Sequence, residues 1–378
     1  MKILIGADIV PTETNENLFM QGDKLTLIGD ELDNLLKSHQ YRIFNLEVPL
    51  TNKTTPIKKS GPNLIAKTET VKAMVEMNID LFTLANNHIL DQGAQGLNST
   101  IKTLKDNNIS YLGAGENIHE AKKPFIIHEN QKKIGIYACV EHEFSIAGEN
   151  ELGANPFDPL ESLDDVFELK KHCDFVIVLY HGGKEHYRYP SPNLQKVCQK
   201  FIKKGADVVI TQHSHCIGCM EKYQNGTIVY GQGNFLFDDS NSEFWKTSLL
   251  CSIDTETKDI SFIPIVKNNN VVRLASEQQK NVILDGFNTR TEEIKDSKFV
   301  QLKYEEFANN AIVHYLMCSR GKRWTIGKVL NRLTKGKYYR FILKTKFNNS
   351  SFYTLYNYLE CEAHYELYKT GIKNKLKK

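Results

Sequence analysis

Gly205-Ala206-Asp207-Val208-Val209-Ile210-Thr211-Gln212-His213-Ser214-His215 reads as a short apolar strand that runs into two histidines. The residues before it read as a helix. Ser191 offers a cap and Pro192 suits the first turn; Leu194, Val197, Cys198, Phe201 and Ile202 recur at helical spacing until Gly205 ends it. If the histidines prolong an extended segment, residues i and i+2 point the same way, and two imidazoles reach one site.

The pattern recurs upstream. Candidate strands at 2–5, 42–45, 80–85, 133–140, 175–180 and 207–211 alternate with helices, one of them over 91–107 with Leu97, Ile101 and Leu104 on one face. After Cys216 the segments 217–223, 227–230, 247–253 and 259–266 read as antiparallel strands, with Asn225-Gly226 as one turn. Alternating βα units followed by hairpins predict an α/β layered fold.

The βα-type strands end in a consistent set of residues: Asp8, Glu47, Asn86-Asn87-His88 with Asp91 close behind, His181, then His213 and His215. Ligands in open α/β sheets bind outside the carboxyl ends of the strands, so these side chains would converge there. Singly, each has a plainer role. Asp8 could cap a turn, Glu47 could be a solvated loop residue before Pro49, and the asparagines could form turns. The joint pattern favours a shared site. Carboxylate, amide and imidazole together suit Mn, Fe or Zn better than Ca or Mg.

A length of 378 residues fits two domains or one large one. A change of character near residue 275 suggests a first domain over 1–275 and a basic, aromatic, mainly helical region over 276–378. Residues 320–346 hold ten Lys or Arg and no Asp or Glu, interleaved with Trp324, Tyr338, Tyr339 and Phe341. No apolar run is long enough to span a membrane, and the one at the N-terminus is too short for a signal peptide. Eight scattered cysteines, with Cys216-Ile217-Gly218-Cys219 as a lone C-x-x-C, read as reduced packing residues. The expected location is therefore the cytoplasm. A net charge of +3 gives no reason for a nucleic-acid partner. The basic aromatic stretch suits peripheral contact with an anionic membrane face or an acidic polymer. Its plainer role, a solvated helical face whose aromatics pack on the first domain, is slightly favoured.

Six segments together resemble a known family. They are Asn45-Leu46-Glu47; Leu84-Ala85-Asn86-Asn87-His88-Ile89-Leu90-Asp91-Gln92-Gly93; Gly113-Ala114-Gly115; His181-Gly182-Gly183-Lys184-Glu185; Gly205 through His215; and Tyr230-Gly231-Gln232-Gly233-Asn234-Phe235. In order and spacing the chain resembles, over residues 1–240, the poly-gamma-glutamate capsule biosynthesis (CapA-type) family of the calcineurin-like metallophosphoesterase superfamily. The resemblance implies a four-layer αββα sandwich and two divalent metal ions. The implied ligands are Asp8, Glu47 (bridging), Asn87, His181, His213 and His215. His88 would match the catalytic histidine, Glu185, Gln232 and Asn234 would lie near the rim as substrate contacts, and Asn86 is a further substrate-binding candidate. Val10 stands where the superfamily has a histidine, so one metal position should have fewer protein ligands and bind more weakly. Gly182 replaces a usual Trp, and Gly231-Gln232 a usual Ser-Leu.

The expected function is metal-dependent hydrolysis of a phosphate ester in bacterial capsule or cell-envelope polymer biosynthesis, with His88 as general acid. Such a substrate, an anionic small molecule or polymer, should meet a fixed cation. Arg42 and Arg188 are the only arginines in the first 235 residues, which makes Arg188 the candidate anion contact and Lys184 the second. Activated water also attacks carbonyls, so an amide-bond hydrolase or transferase on a polyglutamate-like polymer is the alternative. A non-catalytic polymer assembly protein is the third.

Overall fold

The structure, a computed structural model, describes residues 1–129, 131–237, 242–268, 270–318 and 324–376. In chain order the strands are β1 (Lys2–Ile9), β2 (Tyr41–Leu46), β3 (Leu81–Thr83), β4 (Ser110–Leu112), β5 (Ala114–Gly115), β6 (Phe125–Glu129), β7 (Lys132–Val140) and β8 (Gly153–Ala154). They continue as β9 (Phe175–His181), β10 (Val208–Gln212), β11 (Ile217–Tyr223), β12 (Gly226–Gln232), β13 (Asn234–Leu236), β14 (Thr247–Asp254), β15 (Ile260–Asn268) and β16 (Val271–Leu274). The helices are α1 (Glu16–Gln21), α2 (Lys24–Lys37), α3 (Val71–Glu76), α4 (Gly93–Asp106), α5 (Ile118–Ala121), α6 (Ser162–His172) and α7 (Pro192–Lys203). After them come α8 (Glu243–Lys246), α9 (Glu277–Glu293), α10 (Ser297–Cys318), α11 (Trp324–Leu333), α12 (Lys337–Lys346), α13 (Asn349–Glu360) and α14 (Glu362–Leu376).

One sheet runs β16-β15-β14-β1-β2-β3-β4, with β13 also paired to β1; the other runs β11-β12-β10-β9-β7-β6. Side chains alternate across a strand, and the second sheet shows it plainly. Ile134, Ile136, Ile177, Val208 and Ile210 join a core shared with β1 and with Leu32 of α2, Met74 of α3 and Leu97 of α4. Their neighbours Tyr137, Cys139, Val176, Val178 and Val209 turn to the opposite core, against Val166 and Leu169 of α6 and Cys198 and Phe201 of α7. The order of layers is therefore helices, sheet, sheet, helices, the αββα sandwich expected.

The hairpins are divided between the sheets: β11–β12 close one, and β14 to β16 extend the other. The β11–β12 turn is Gln224-Asn225, one residue earlier than expected, because Gly226 already pairs with Tyr223 and Gln224 takes φ +51°. Gly226 serves close packing instead, since a Cβ there would lie 2.6 Å from Ile202 Cδ1. Helix α7 is as read, with Ser191 Oγ accepting from the Leu194 amide and Gly205 at φ +111°. Helix α4 begins at Gly93 rather than at 91.

The chain divides into two compact units, Met1–Lys303 and Tyr304–Lys378. The change near residue 275 falls between β16 and α9, inside the first unit. Helix α9 stays there because Phe287 packs with Ile217 and Leu249, Arg290 Nε donates to the Gly218 carbonyl (2.7 Å), and the Met220 amide donates to Thr291 Oγ1 (3.0 Å). All eight cysteines are free. Among the described residues no helix is long and apolar enough to cross a membrane.

Strand β1 carries the irregularity that serves the site. Its register with β2 slips between Ile5 and Asp8, a bulge that re-aims Asp8. Gly6 permits it, because a Cβ there would sit 1.9 Å from the buried Phe44 ring. Gly6→Ala should therefore destabilise the protein by about 1–3 kcal/mol in chemical denaturation, and Phe44→Leu in the same chain should recover part of that loss.

Candidate metal centre

Both sheets contribute to one buried cluster at the carboxyl ends of their strands. Asp8 and Glu47, from the ends of β1 and β2, are fully buried, and Asn87, His181, His213 and His215 are nearly so. His181 Nε2 is the hub of one group: Asn87 Oδ1 is 3.0 Å away, Glu47 Oε1 3.2 Å and His213 Nδ1 3.2 Å. Asp8 Oδ2 and His215 Nδ1, 3.7 Å apart, form the other group. Glu47, His213 and His215 each bring one donor atom within 4.8 Å of the others.

The two histidines after β10 meet by a different route from the one expected. The strand ends at Gln212, and His213 and His215 both take left-handed backbone, φ +82° and +52°. Such conformations cost about 1–3 kcal/mol each at non-glycine residues and persist where the surroundings over-determine them. His215 shows what holds it. Its Nδ1 bonds to Asn234 Oδ1 (2.8 Å), Trp245 stacks on its ring at 4.8 Å, and Phe237 meets it edge-on at 5.5 Å.

His88 stands beside the cluster. Its Nδ1 lies 2.6 Å from Asp91 Oδ2, which fixes the ring and leaves Nε2 without a protein partner among the described residues. Asp91 also pairs through Oδ1 with the buried Lys59 ammonium and accepts from the Leu64 amide (2.6 Å). These partners occupy the carboxylate expected to open α4.

Several expected substrate contacts have other roles. Asn86 is buried, and its amide donates to Asn45 Oδ1 (3.0 Å) and the Leu46 carbonyl (2.8 Å). Gln232 lies between the sheets and donates to the carbonyls of Ile5 (3.0 Å) and Leu249 (3.1 Å). Asn234 orients His215 from inside the protein. Arg188 binds the Ile217 carbonyl (2.9 Å) and the Glu243 carboxylate (2.8 Å) and lies over the Phe244 ring, so it ties α8 down rather than facing a substrate. Glu185 is exposed and Lys184 half-buried.

Three contributors escaped the sequence. Asn45 Nδ2 donates to Asp8 Oδ1 (2.7 Å) and lies 3.2 Å from His181 Nδ1; its place two residues before Glu47 was the available signal. Lys59 comes from an irregular loop, and Trp245 from the four-residue α8; neither has a periodicity to read.

The electrostatics suit a cation. Burial, then the Glu47 charge, push Asp8 above the usual carboxylate range. Burial also works on Glu47, but His181 and His215 outweigh it and hold that carboxyl below its usual range. Burial, His181 and His215 keep His213 neutral, well below the usual imidazole value. Burial opposes charge on His215 too, yet Asp8 and Glu47 lift it to about 9. Asp8 Oδ2 and both Glu47 oxygens are buried with no aligned hydrogen bond. Orphaned carboxylate oxygens facing imidazole nitrogens fit a divalent metal of the Mn, Fe or Zn type.

The family described as "Bacterial capsule synthesis protein PGA_cap" matches residues 4–239. The chain is 33% identical over 214 residues to the capsule biosynthesis protein CapA of Bacillus anthracis, covering 54% of this chain and 52% of that one. It is 30% identical over 212 residues to the PGA biosynthesis protein CapA of Bacillus subtilis, covering 54% and 55%. The chain thus spans about half the length of the curated relatives it matches. A crystal structure of a phosphatase from Mycoplasma pneumoniae superposes with a TM-score of 0.44 at 15% identity, over 71% of this chain and 94% of that one.

Metal should stabilise the fold through this cluster. Adding Mn²⁺ or Zn²⁺ at about a hundred times its dissociation constant should raise stability by about 2.7 kcal/mol, read as a rise in melting temperature that EDTA reverses. His213→Ala should abolish the rise. Protonated His215 competes with the ion, so metal affinity should strengthen as pH climbs from 7 toward the His215 value of about 9. A melting temperature indifferent to every divalent ion tried would rule the centre out.

Proposed function

The chain belongs to the bacterial capsule synthesis PGA_cap family, and on that premise we propose that it is a divalent-metal-dependent phosphoester hydrolase of capsule or cell-envelope polymer biosynthesis. One observation carries this: Glu47 and Asp8 hold three buried carboxylate oxygens without hydrogen bonds amid imidazoles from the facing sheet. A vestigial site would be expected to fill such a pocket with apolar or mutually bonded side chains.

Two ions would share Glu47, with Asn87, His181 and His213 completing one position and Asp8 and His215 the other. Bound there, they would supply Lewis-acid activation of water and of a phosphoryl oxygen. Val10, buried just beyond β1, adds no ligand to the second position, which should be the weaker.

The chain's own residues account for the proton transfers. Asp91 holds His88 by Nδ1, so Nε2 is the atom that delivers a proton to the leaving oxygen. The Lys59 ammonium offsets the Asp91 charge, so the carboxylate orients His88 without leaving a bare buried anion. Asn45 holds Asp8 through Oδ1 and approaches His181 at Nδ1, fixing both ligands from behind.

A second reading, hydrolysis of an amide bond in a polyglutamate-like polymer, is favoured by the position of Arg188. Its pairing with Glu243 removes the guanidinium that would clamp a phosphate.

His88→Ala should slow phosphodiester turnover by about 10²–10⁴ while metal content stays near two per chain; unchanged turnover would remove the general-acid role. Metal-loaded wild-type protein that hydrolyses a γ-glutamyl amide but no phosphoester would decide for the second reading. Metal loading without either activity would point to polymer assembly.

A further inference from the structure

The unit Tyr304–Lys378 holds fifteen Lys or Arg against five Asp or Glu, whereas the unit before it has 33 against 40. The basic charge of the chain is therefore concentrated in one helical unit. Its small core joins the end of α10 to α12: Leu316, Met317 and Tyr339 are buried there, with Val313, Ile342 and Leu343 packed around them.

Helix α11 attaches to α12 by its small, polar side. Asn331 Oδ1 accepts from the Tyr339 amide (3.0 Å), and a Cβ on Gly327 would lie 3.6 Å from the Tyr339 ring. The apolar side of α11 is left outward. Ile326, Val329, Leu330 and Leu333 occupy positions i, i+3, i+4 and i+7, the stripe a helix of a globular protein ordinarily buries. Here they are 66%, 58%, 38% and 74% exposed. Arg332, also exposed, borders the stripe on the Val329 side, exposed Lys328 lies one turn before it and further round the helix, and Phe341 of α12 is 63% exposed next to Arg340.

We propose that this face, the Ile326–Leu333 stripe of α11 with Arg332 at its edge in a strongly basic unit, docks on an anionic lipid bilayer surface. An exposed apolar stripe of this kind marks an interaction surface, and the flanking charge selects its partner. Anionic headgroups meet Arg332 at the edge of the stripe, with Lys328 within a Debye length behind it, while the acyl boundary takes up the stripe. A dissolved acidic polymer would satisfy the cations but leave the four apolar side chains in water. The plainer role, aromatics turned inward on a solvated face, accounts for Tyr339 but not for the α11 stripe. The docking is independent of what the metal site hydrolyses and would hold the site near the membrane.

The test is sedimentation of the full chain with phosphatidylcholine vesicles containing phosphatidylglycerol, and with phosphatidylcholine alone. The chain should pellet only with the anionic vesicles, less so as salt rises. Lys328→Gln with Arg332→Gln should weaken binding on the order of 30-fold, as two lost cations require. Ile326→Ser with Leu333→Ser should weaken it comparably at unchanged charge. Both pairs are exposed, and circular dichroism should show their helices intact. Wild-type chain that stays in the supernatant, or either variant pair pelleting like wild type, overturns the proposal. Failure to pellet combined with capture on a soluble polyglutamate column assigns the face to a polymer instead. Failure to pellet combined with a lower melting temperature in the serine variants assigns it to packing within the chain.

Discussion

A carboxylate with both oxygens buried and neither hydrogen-bonded is the constraint around which this protein is organised. An unpaired charge in the interior costs several kcal/mol, and Glu47 would be driven to protonate if nothing opposed it. His181 and His215 oppose it, which is why Glu47 stays acidic while Asp8, with poorer compensation, is pushed the other way. The costly features of the fold gather at the same place. They include the β1 bulge over Gly6, the left-handed backbones of His213 and His215, and a buried lysine committed to Asp91. Strain and buried charge persist where function requires them, and a divalent cation is the partner that would relieve all three carboxylate oxygens together.

Much of this was legible in the sequence because it depends on where strands end. Apolar runs bounded by turn formers located β2, β9 and β10 within a residue or two, and a polar residue after each run marked the carboxyl edge. Backbone conformation beyond a strand end was less readable. The His213-Ser214-His215 spacing suggested an extended segment, but both histidines take left-handed backbone, and the rings that hold His215, Trp245 and Phe237, arrive from elsewhere in the chain. The fates of polar side chains were least readable. Asn86, Gln232 and Arg188 have the right chemistry for a substrate, yet each spends it on the protein's own carbonyls, amides or carboxylates. Burial decides that difference, and a single sequence does not carry it.

Lys59 and Arg188 show the same point from opposite directions. Arg188 stands seven residues beyond a ligand strand, close in sequence to the site, but its planar fork finds Glu243 and the Ile217 carbonyl first. Lys59 lies in the irregular stretch between β2 and α3, far in sequence from His88. Asp91 and Gln92 draw that loop in: the Leu64 amide bonds to the Asp91 carboxylate, and the Thr55 amide to Gln92 Oε1 (2.7 Å). Two acceptors directly before α4 thus place a lysine that no periodicity announces.

A site assembled across two sheets also needs their separation fixed. Asp8, Glu47 and Asn87 come from one sheet, and His181, His213 and His215 from the other. Apolar packing between the sheets is strong but non-directional, and a small slide would separate imidazoles from carboxylates at little cost in buried area. Directional bonds resist that slide. Gln212 reaches from the end of β10 to the Gly6 carbonyl (3.0 Å), and Gln232 from the end of β12 to the carbonyls of Ile5 and Leu249. The two glutamines also approach each other at 3.3 Å. Breaking either bond would leave a buried amide unsatisfied, a cost of about 1–3 kcal/mol each. The carbonyls they seize, Ile5 and Gly6, are those freed where the β1 ladder slips to re-aim Asp8. The bulge therefore does two things at once: it turns a carboxylate into the cluster, and it exposes the acceptors by which the opposite sheet is held in register with it.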